Sequence, residues 1–144
     1  MAAITKIVAA VWTADTAAAA TDSTVYLCVA GREFKLETDG NDFERGAYTE
    51  YVLGEGTNVL DSQYNDPRIP QLDTDDLGHY PVYVRMEPSG SGPDWHLERI
   101  KVTVQPGGHT FDNPVLENQA ENRRIWLGQK PGKILYLRRV SIQG

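Results

Sequence analysis

Apolar and polar residues alternate with a period of two along most of this chain, and glycine and proline break the pattern repeatedly. That combination excludes a helical fold and demands short strands. In Pro81 to Glu87, Val82, Val84 and Met86 fall on one side of an extended backbone and Tyr83, Arg85 and Glu87 on the other. In Thr24 to Val29, Val25, Leu27 and Val29 share a face opposite Tyr26 and Cys28. Ile100, Val102 and Val104 alternate with Arg99, Lys101 and Thr103, while Trp95 and Leu97 run in the opposite phase. A phase change of that kind predicts a bulge near Glu98, where one extra residue flips the side-chain parity. Ile7–Trp12, Glu33–Leu36, Tyr48–Leu53 and Ile125–Leu127 are further strands. The last is predicted over about 133–142, and the consecutive Ile134, Leu135, Tyr136 and Leu137 read as buried on both faces.

No segment carries an apolar stripe at helical spacing over ten or more residues. About eight short strands with turn signals such as Ser89-Gly90-Ser91-Gly92-Pro93 and Pro106-Gly107-Gly108 imply an antiparallel β-sandwich. The 144 residues suit one domain, 1–144, with a single sizeable core. Segment 54–79, rich in aspartate and weakly periodic, reads as a long loop excursion. Within it, Asp73 to Gly78 resembles the start of an EF-hand loop, but position twelve is Val84 and no helices flank it.

The net charge of −6 argues against nucleic acid as a partner, because phosphate neutralisation needs a clustered basic surface. The basic pairs Arg123-Arg124 and Arg138-Arg139 read as solvated strand ends. The single cysteine, Cys28, excludes an internal disulfide and reads as a small buried residue. No run is long and apolar enough for a membrane span, and no signal peptide is evident. The three histidines are too widely spaced for a zinc motif, and neither Ser89 nor Ser91 with His96 sits in a nucleophile-elbow pattern. Trp95 and Trp126 are expected in the core and Trp12, at a strand end, partly exposed.

The chemistry concentrates in Asn41-Asp42-Phe43-Glu44-Arg45-Gly46. On an extended strand Asp42 and Glu44 would project to one side, with the Asn41 amide beside them. If Asp22, at the head of another strand, meets them at one end of the sheet, three carboxylates and an amide converge. A hard cation such as calcium takes about six to eight such oxygens.

Four blocks resemble the PLAT domain, the β-sandwich of polycystin, lipoxygenase and alpha-toxin, from about Ile7 to Leu127. They are Ala20-Thr21-Asp22-Ser23 with Val25-Tyr26-Leu27, the Asn41–Gly46 block, Asp94 to Val102, and Asn122 to Leu127. The resemblance implies an eight-stranded antiparallel sandwich that binds calcium through loops at one end and docks on a membrane or a protein. It also implies Asp22, Asn41, Asp42 and Glu44 as ligands, with Asp94 and the backbone carbonyls of Ala18 and Ala20 as further donors. Ala20 stands where the family carries glycine. Where membrane-inserting members carry large aromatics, this chain has Ala17 to Ala20 and the Ser-Gly loop at 89–92. Bilayer docking buries apolar area at about 25 cal/mol per Å², and alanine methyls supply little of it, so a protein partner is favoured over a membrane. Trp12, and Asp61, Tyr64 and Asp66 in the excursion, are the candidate partner contacts.

The expected function is a non-catalytic, calcium-responsive binding module in which Asp42→Ala weakens calcium binding and leaves the apo fold intact. Two alternatives stay open at this stage. One is a metal-free structural or interaction domain, or a subunit of a larger assembly. The other is a small enzyme or small-molecule binder with 54–79 as its lid.

Overall fold

The computed structural model describes residues 2–88, 94–114 and 125–140. Among these, ten strands form two antiparallel sheets. The strands are β1 (Lys6–Thr13), β2 (Thr24–Val29), β3 (Arg32–Lys35), β4 (Tyr48–Gly54), β5 (Tyr83–Glu87), β6 (Trp95–Gln105), β7 (His109–Asp112), β8 (Ile125–Leu127), β9 (Ile134–Tyr136) and β10 (Arg138–Val140). The larger sheet runs β10-β7-β6-β1-β4, with β8 also paired to β6, and the smaller runs β3-β2-β5-β9.

Period two explains the layering. Ile7, Ala9 and Val11 of β1 face Val25, Leu27 and Val84 of the other sheet across one core. The bulge falls where the phase change predicts it. Pairing passes from Trp12↔Arg99 to Thr13↔Leu97 and leaves Glu98 unmatched. Trp95, Leu97, Ile100, Val102 and Val104 all therefore point inward and are fully buried. The Trp95 indole N–H donates to Thr13 Oγ1 at 2.9 Å, which satisfies the polar end of a large buried ring.

Two expectations need correction. Ile134 to Leu137 is not buried on both faces: Leu135 and Leu137 are buried, while Ile134 and Tyr136 are exposed. The expected single strand splits at Leu137, so that β9 pairs with β5 at the edge of the small sheet and β10 pairs with β7 in the large one. An edge strand of an antiparallel sheet keeps one solvated face, and alternation resumes there. Residues 141 and 142 of the predicted strand, the Asn122–Arg124 part of the closing block and the Ser89–Pro93 turn lie outside the described residues.

Trp126 is not a core residue either. It is 40% exposed and stacks on His96 with ring centroids 4.2 Å apart. β8 pairs His96 with Trp126 on the outer side of β6, opposite the parity of Trp95 and Leu97, so the ring lies over the sheet instead of beneath it.

Segment 54–79 is pinned down along its length. It contains two 3-10 turns, Ser62–Tyr64 and Thr74–Gly78, and buries Val59 and Leu77 in the core. Asp73 caps the second turn by accepting from Asp75 N at 2.8 Å, which accounts for that acidic run as helix capping. The Arg32 guanidinium donates to the carbonyls of Asp66, Ile69 and Pro70 and holds the middle of the excursion against β3.

Candidate functional site

Two connections, 14–23 and 36–47, meet at the sheet end where β1 finishes and β2 and β4 begin. The 14–23 and 36–47 loops are laced together there. Thr21 N donates to the Phe43 carbonyl at 3.2 Å, Gly46 N donates to the Ala14 carbonyl at 3.2 Å, and Arg45 pairs with Asp15 at 3.0 Å. His96 N donates to the Ala19 carbonyl and fastens the first loop to β6. Between the two loops lies a cleft of about 250 Å³ lined by residues 21–25, 36–38 and 40–44.

Asp22, Asn41, Asp42 and Glu44 all line this cleft. The sequence expectation that two separate segments bring these four residues together thus corresponds to a real concavity. Their orientations differ from those of an extended strand. Phe43 adopts a left-handed backbone with φ of 60°. A bulky residue takes that conformation only when its surroundings impose it. Here its ring is buried between Tyr51, at 5.5 Å, and Trp95, at 5.0 Å. The reversal at Phe43 separates its neighbours: Asp42 turns into the fold and Glu44 is exposed. The two do not share one side, because the backbone between them is not extended.

Asp42 is occupied by the protein itself. Its carboxylate accepts from Thr38 N at 2.9 Å, Thr38 Oγ1 at 2.8 Å and the Tyr51 hydroxyl at 2.9 Å. Tyr51 is fully buried, and burial together with the Asp42 charge pushes its phenol well above the ordinary value. Asp42 is thus the buried tyrosine's acceptor and the staple of the Thr38–Asp42 turn. By contrast Asp22, Asn41 and Glu44 are exposed and have no side-chain hydrogen bond or ion pair among the described residues.

The donor chemistry fits a hard cation, since every side-chain donor of the four is oxygen. A carboxylate offers about four lone-pair sites, and three of those on Asp42 are taken, which leaves it at most a monodentate role. Among the described residues no group of three or more His, Cys, Asp or Glu side chains stands close enough to hold a metal as placed. The carboxylates share a cleft without forming a finished cage. Any cation would gather Asp22, Asn41 and Glu44 around the one fixed group, Asp42.

Asp94 does not line the cleft, and neither do Ala18 or Ala20. The Asp94 carboxylate packs against Gly128, where a β-carbon would collide with it. Ala18, not Ala20, is the residue with positive φ in the first loop, at 62°. No residue of 54–79 lines the cleft, so the excursion is not a lid on it. Of the candidate partner contacts, Asp61 and Tyr64 are exposed, the latter 77%. Trp12 is half-buried, 4.8 Å from the Tyr48 ring and 5.2 Å from the Arg99 guanidinium. Asp66 is withdrawn from the surface: it is 8% exposed and held by Arg68 at 2.9 Å and 3.0 Å, and that hydrogen bonding lowers its pKa. Sequence reasoning missed Thr38 and Tyr51. The spacing Thr38–Asp42 is a turn signal visible in the sequence, whereas the Tyr51 contact exists only in the fold.

The chain matches no protein-family model and no curated protein by sequence. It is similar in structure to alpha-toxin from Clostridium absonum, with a TM-score of 0.62, 21% identity, and coverage of 94% of this chain and 32% of that one. Coral 8R-lipoxygenase matches with a TM-score of 0.59 and 19% identity, over 93% of this chain and 17% of the enzyme. Clostridium perfringens alpha-toxin matches with a TM-score of 0.52 and 19% identity, over 99% of this chain and 32% of the toxin. The matched parts are the N-terminal domain of lipoxygenase and the C-terminal domain of alpha-toxin, both PLAT-type β-sandwiches. At these identities the likeness is one of fold. The chain spans roughly a sixth to a third of the proteins it matches, and the matched portions are their non-catalytic domains. The coral enzyme is reported to be activated by calcium through a C2-like domain. No helix among the described residues is long and apolar enough to cross a membrane.

Proposed function

We propose that this PLAT-type sandwich is a non-catalytic, calcium-responsive binding module that presents its loop end to a protein partner. The observation that carries the reading is the shared cleft, in which Asp22 from one loop and Asn41, Asp42 and Glu44 from the other line a single concavity. Asp22, Asn41 and Glu44 would supply the adjustable oxygens and Asp42 its remaining lone pair. Bound calcium supplies positive charge that draws these side chains together, and thereby fixes the 14–23 loop against the 36–47 loop. Ala17 to Ala20 gives the first loop no large apolar ring, which favours a protein partner over bilayer insertion.

With two uncommitted carboxylates and no preformed cage among the described residues, the expected affinity is weak, roughly 10⁻⁴–10⁻³ M. Calorimetric titration of EDTA-stripped protein tests this, with Asp22→Asn and Glu44→Gln as variants. Loss of the binding heat in both, with unchanged unfolding curves in EDTA, supports the site. Absence of heat in the parent protein removes it. The metal-free alternative has one specific observation in its favour, namely that Asp42 already has a complete structural role without an ion.

A further inference from the structure

Directly opposed residues in antiparallel strands share a face, so the pairing registers define the outer surface of the large sheet. One row across it reads Arg138, Asp112, Lys101, Ala10 and Glu50. The row nearest the loops reads Arg99, Trp12 and Tyr48, and Lys6 sits near the far end beside Gln105. Four cations therefore meet on one face of a chain whose net charge is −6.

The carboxylates of that face are engaged within the molecule. Asp112 takes the Arg99 guanidinium at 2.7 Å, Glu50 accepts the Tyr48 hydroxyl at 2.6 Å, and Glu98 at the bulge is also engaged. Among the described residues Lys6, Lys101 and Arg138 have no acidic partner. The outer face of the small sheet is the opposite case. There Lys35 pairs with Glu37, and Arg85 pairs with both Glu33 and Glu87. The small sheet has matched its charges internally, whereas on the large one Lys6, Lys101 and Arg138 lack an acidic partner among the described residues.

We propose that the outer face of the large sheet is a docking surface for an acidic protein partner. It goes beyond the calcium reading and does not depend on it. Charge complementarity argues for the sign of the partner. Trp12 and Tyr48, tilted against each other with ring centroids 4.8 Å apart and flanked by Arg99, supply the residue types that dominate protein–protein hot spots. The area is that of a small interface: five strands of three to eleven residues, spaced about 4.8 Å and rising about 3.4 Å per residue, give roughly 540 Å², about two thirds of the ≈ 800 Å² per partner of a standard interface.

The test uses fluorescein-labelled poly-L-glutamate as the probe, at low ionic strength and in EDTA so that the cleft carries no ion. Lys101→Glu with Arg138→Glu reverses the face. Lys35→Glu with Lys133→Glu makes the same charge change on the small sheet, where the exposed Lys133 accepts from Met86 N of β5 through its carbonyl. Anisotropy should show salt-sensitive binding to the parent protein, weakened about tenfold or more by the first pair and by less than about twofold by the second. No binding by the parent protein, or equal loss in both pairs, overturns the proposal. Tighter binding of phosphatidylserine vesicles or heparin than of poly-L-glutamate also overturns it, because the face would then be a general anion site.

Discussion

Asp42→Ala should cost the folded state heavily even when no calcium is present. The substitution removes the acceptor of three hydrogen bonds, one of them from the fully buried Tyr51. Stranding the Tyr51 hydroxyl costs about 1–3 kcal/mol, and losing the two bonds from the more accessible Thr38 adds about 1 kcal/mol after water compensates. The sum, about 2–4 kcal/mol, is a large share of the 5–15 kcal/mol that holds a typical domain. Urea unfolding in EDTA measures it, as a lower midpoint at an unchanged slope. Tyr51→Phe closes a double-mutant cycle: it removes the donor as well as the need for an acceptor, so the double variant should be less destabilised than the two singles added together. A loss below about 0.5 kcal/mol for Asp42→Ala, or strict additivity in the cycle, would refute the assignment of Asp42 as a structural acceptor. This reverses the expectation from sequence, in which Asp42→Ala spares the apo fold. It also disqualifies Asp42→Ala as a clean probe of calcium, which is why Asp22→Asn and Glu44→Gln serve instead.

Gly54→Ala should be strongly destabilising, by about 2 kcal/mol or more, because φ is +90° and the new β-carbon would lie 2.5 Å from the Thr5 carbonyl oxygen. Thermal unfolding reads this directly, and a variant as stable as the parent protein would disprove that close approach. Stability should also fall on acidification. The Arg85 hydrogen bond holds Glu33 below its ordinary 4.5, and Arg68 holds Asp66 below 3.8. Carboxyls depressed in the fold stabilise it above those ordinary values, and the contribution is lost as pH falls through the lower folded-state ones. Burial, with Arg139 beside it, likewise depresses His109 below 6.5, which adds an earlier and shallower loss. The urea midpoint should therefore decline gently below about pH 6 and steeply below about pH 4.5, and Glu33→Gln should flatten the steep part.

The fold was legible because burial in a sandwich imposes parity, and parity is written in the residues. Val82, Val84 and Met86, and the phase slip at Glu98, need no tertiary knowledge to interpret. Ile134 to Leu137 misled because four consecutive apolar residues hide whether the strand is central or at an edge. The exposed Ile134 and Tyr136 follow from sheet order, which composition does not encode. Trp126 misled because ring size argues for burial while its partner across β6, His96, fixes it on the outer side. For the site, the sequence identified which residues share a place but not how they point. That depended on Phe43, whose left-handed backbone no local signal announces.

Phe43 also explains how the acidic residues of the cleft are kept apart. A left-handed backbone at a bulky residue costs about 1–3 kcal/mol. The ring packed against Tyr51 and Trp95 offsets that cost, since burying a phenylalanine contributes about 1.5–3 kcal/mol. The same reversal turns Asp42 inward, where its charge is met by three donors, and leaves Glu44 outside in water. Asp22, Asn41 and Glu44 are exposed, so the cleft does not force several unpaired carboxylates together. A cation entering such a site must itself gather the exposed oxygens, and the ordering of three side chains is deducted from its affinity. On the calcium reading proposed above, binding would be weak and readily reversible, and the ion would add loop-to-loop rigidity to the sandwich.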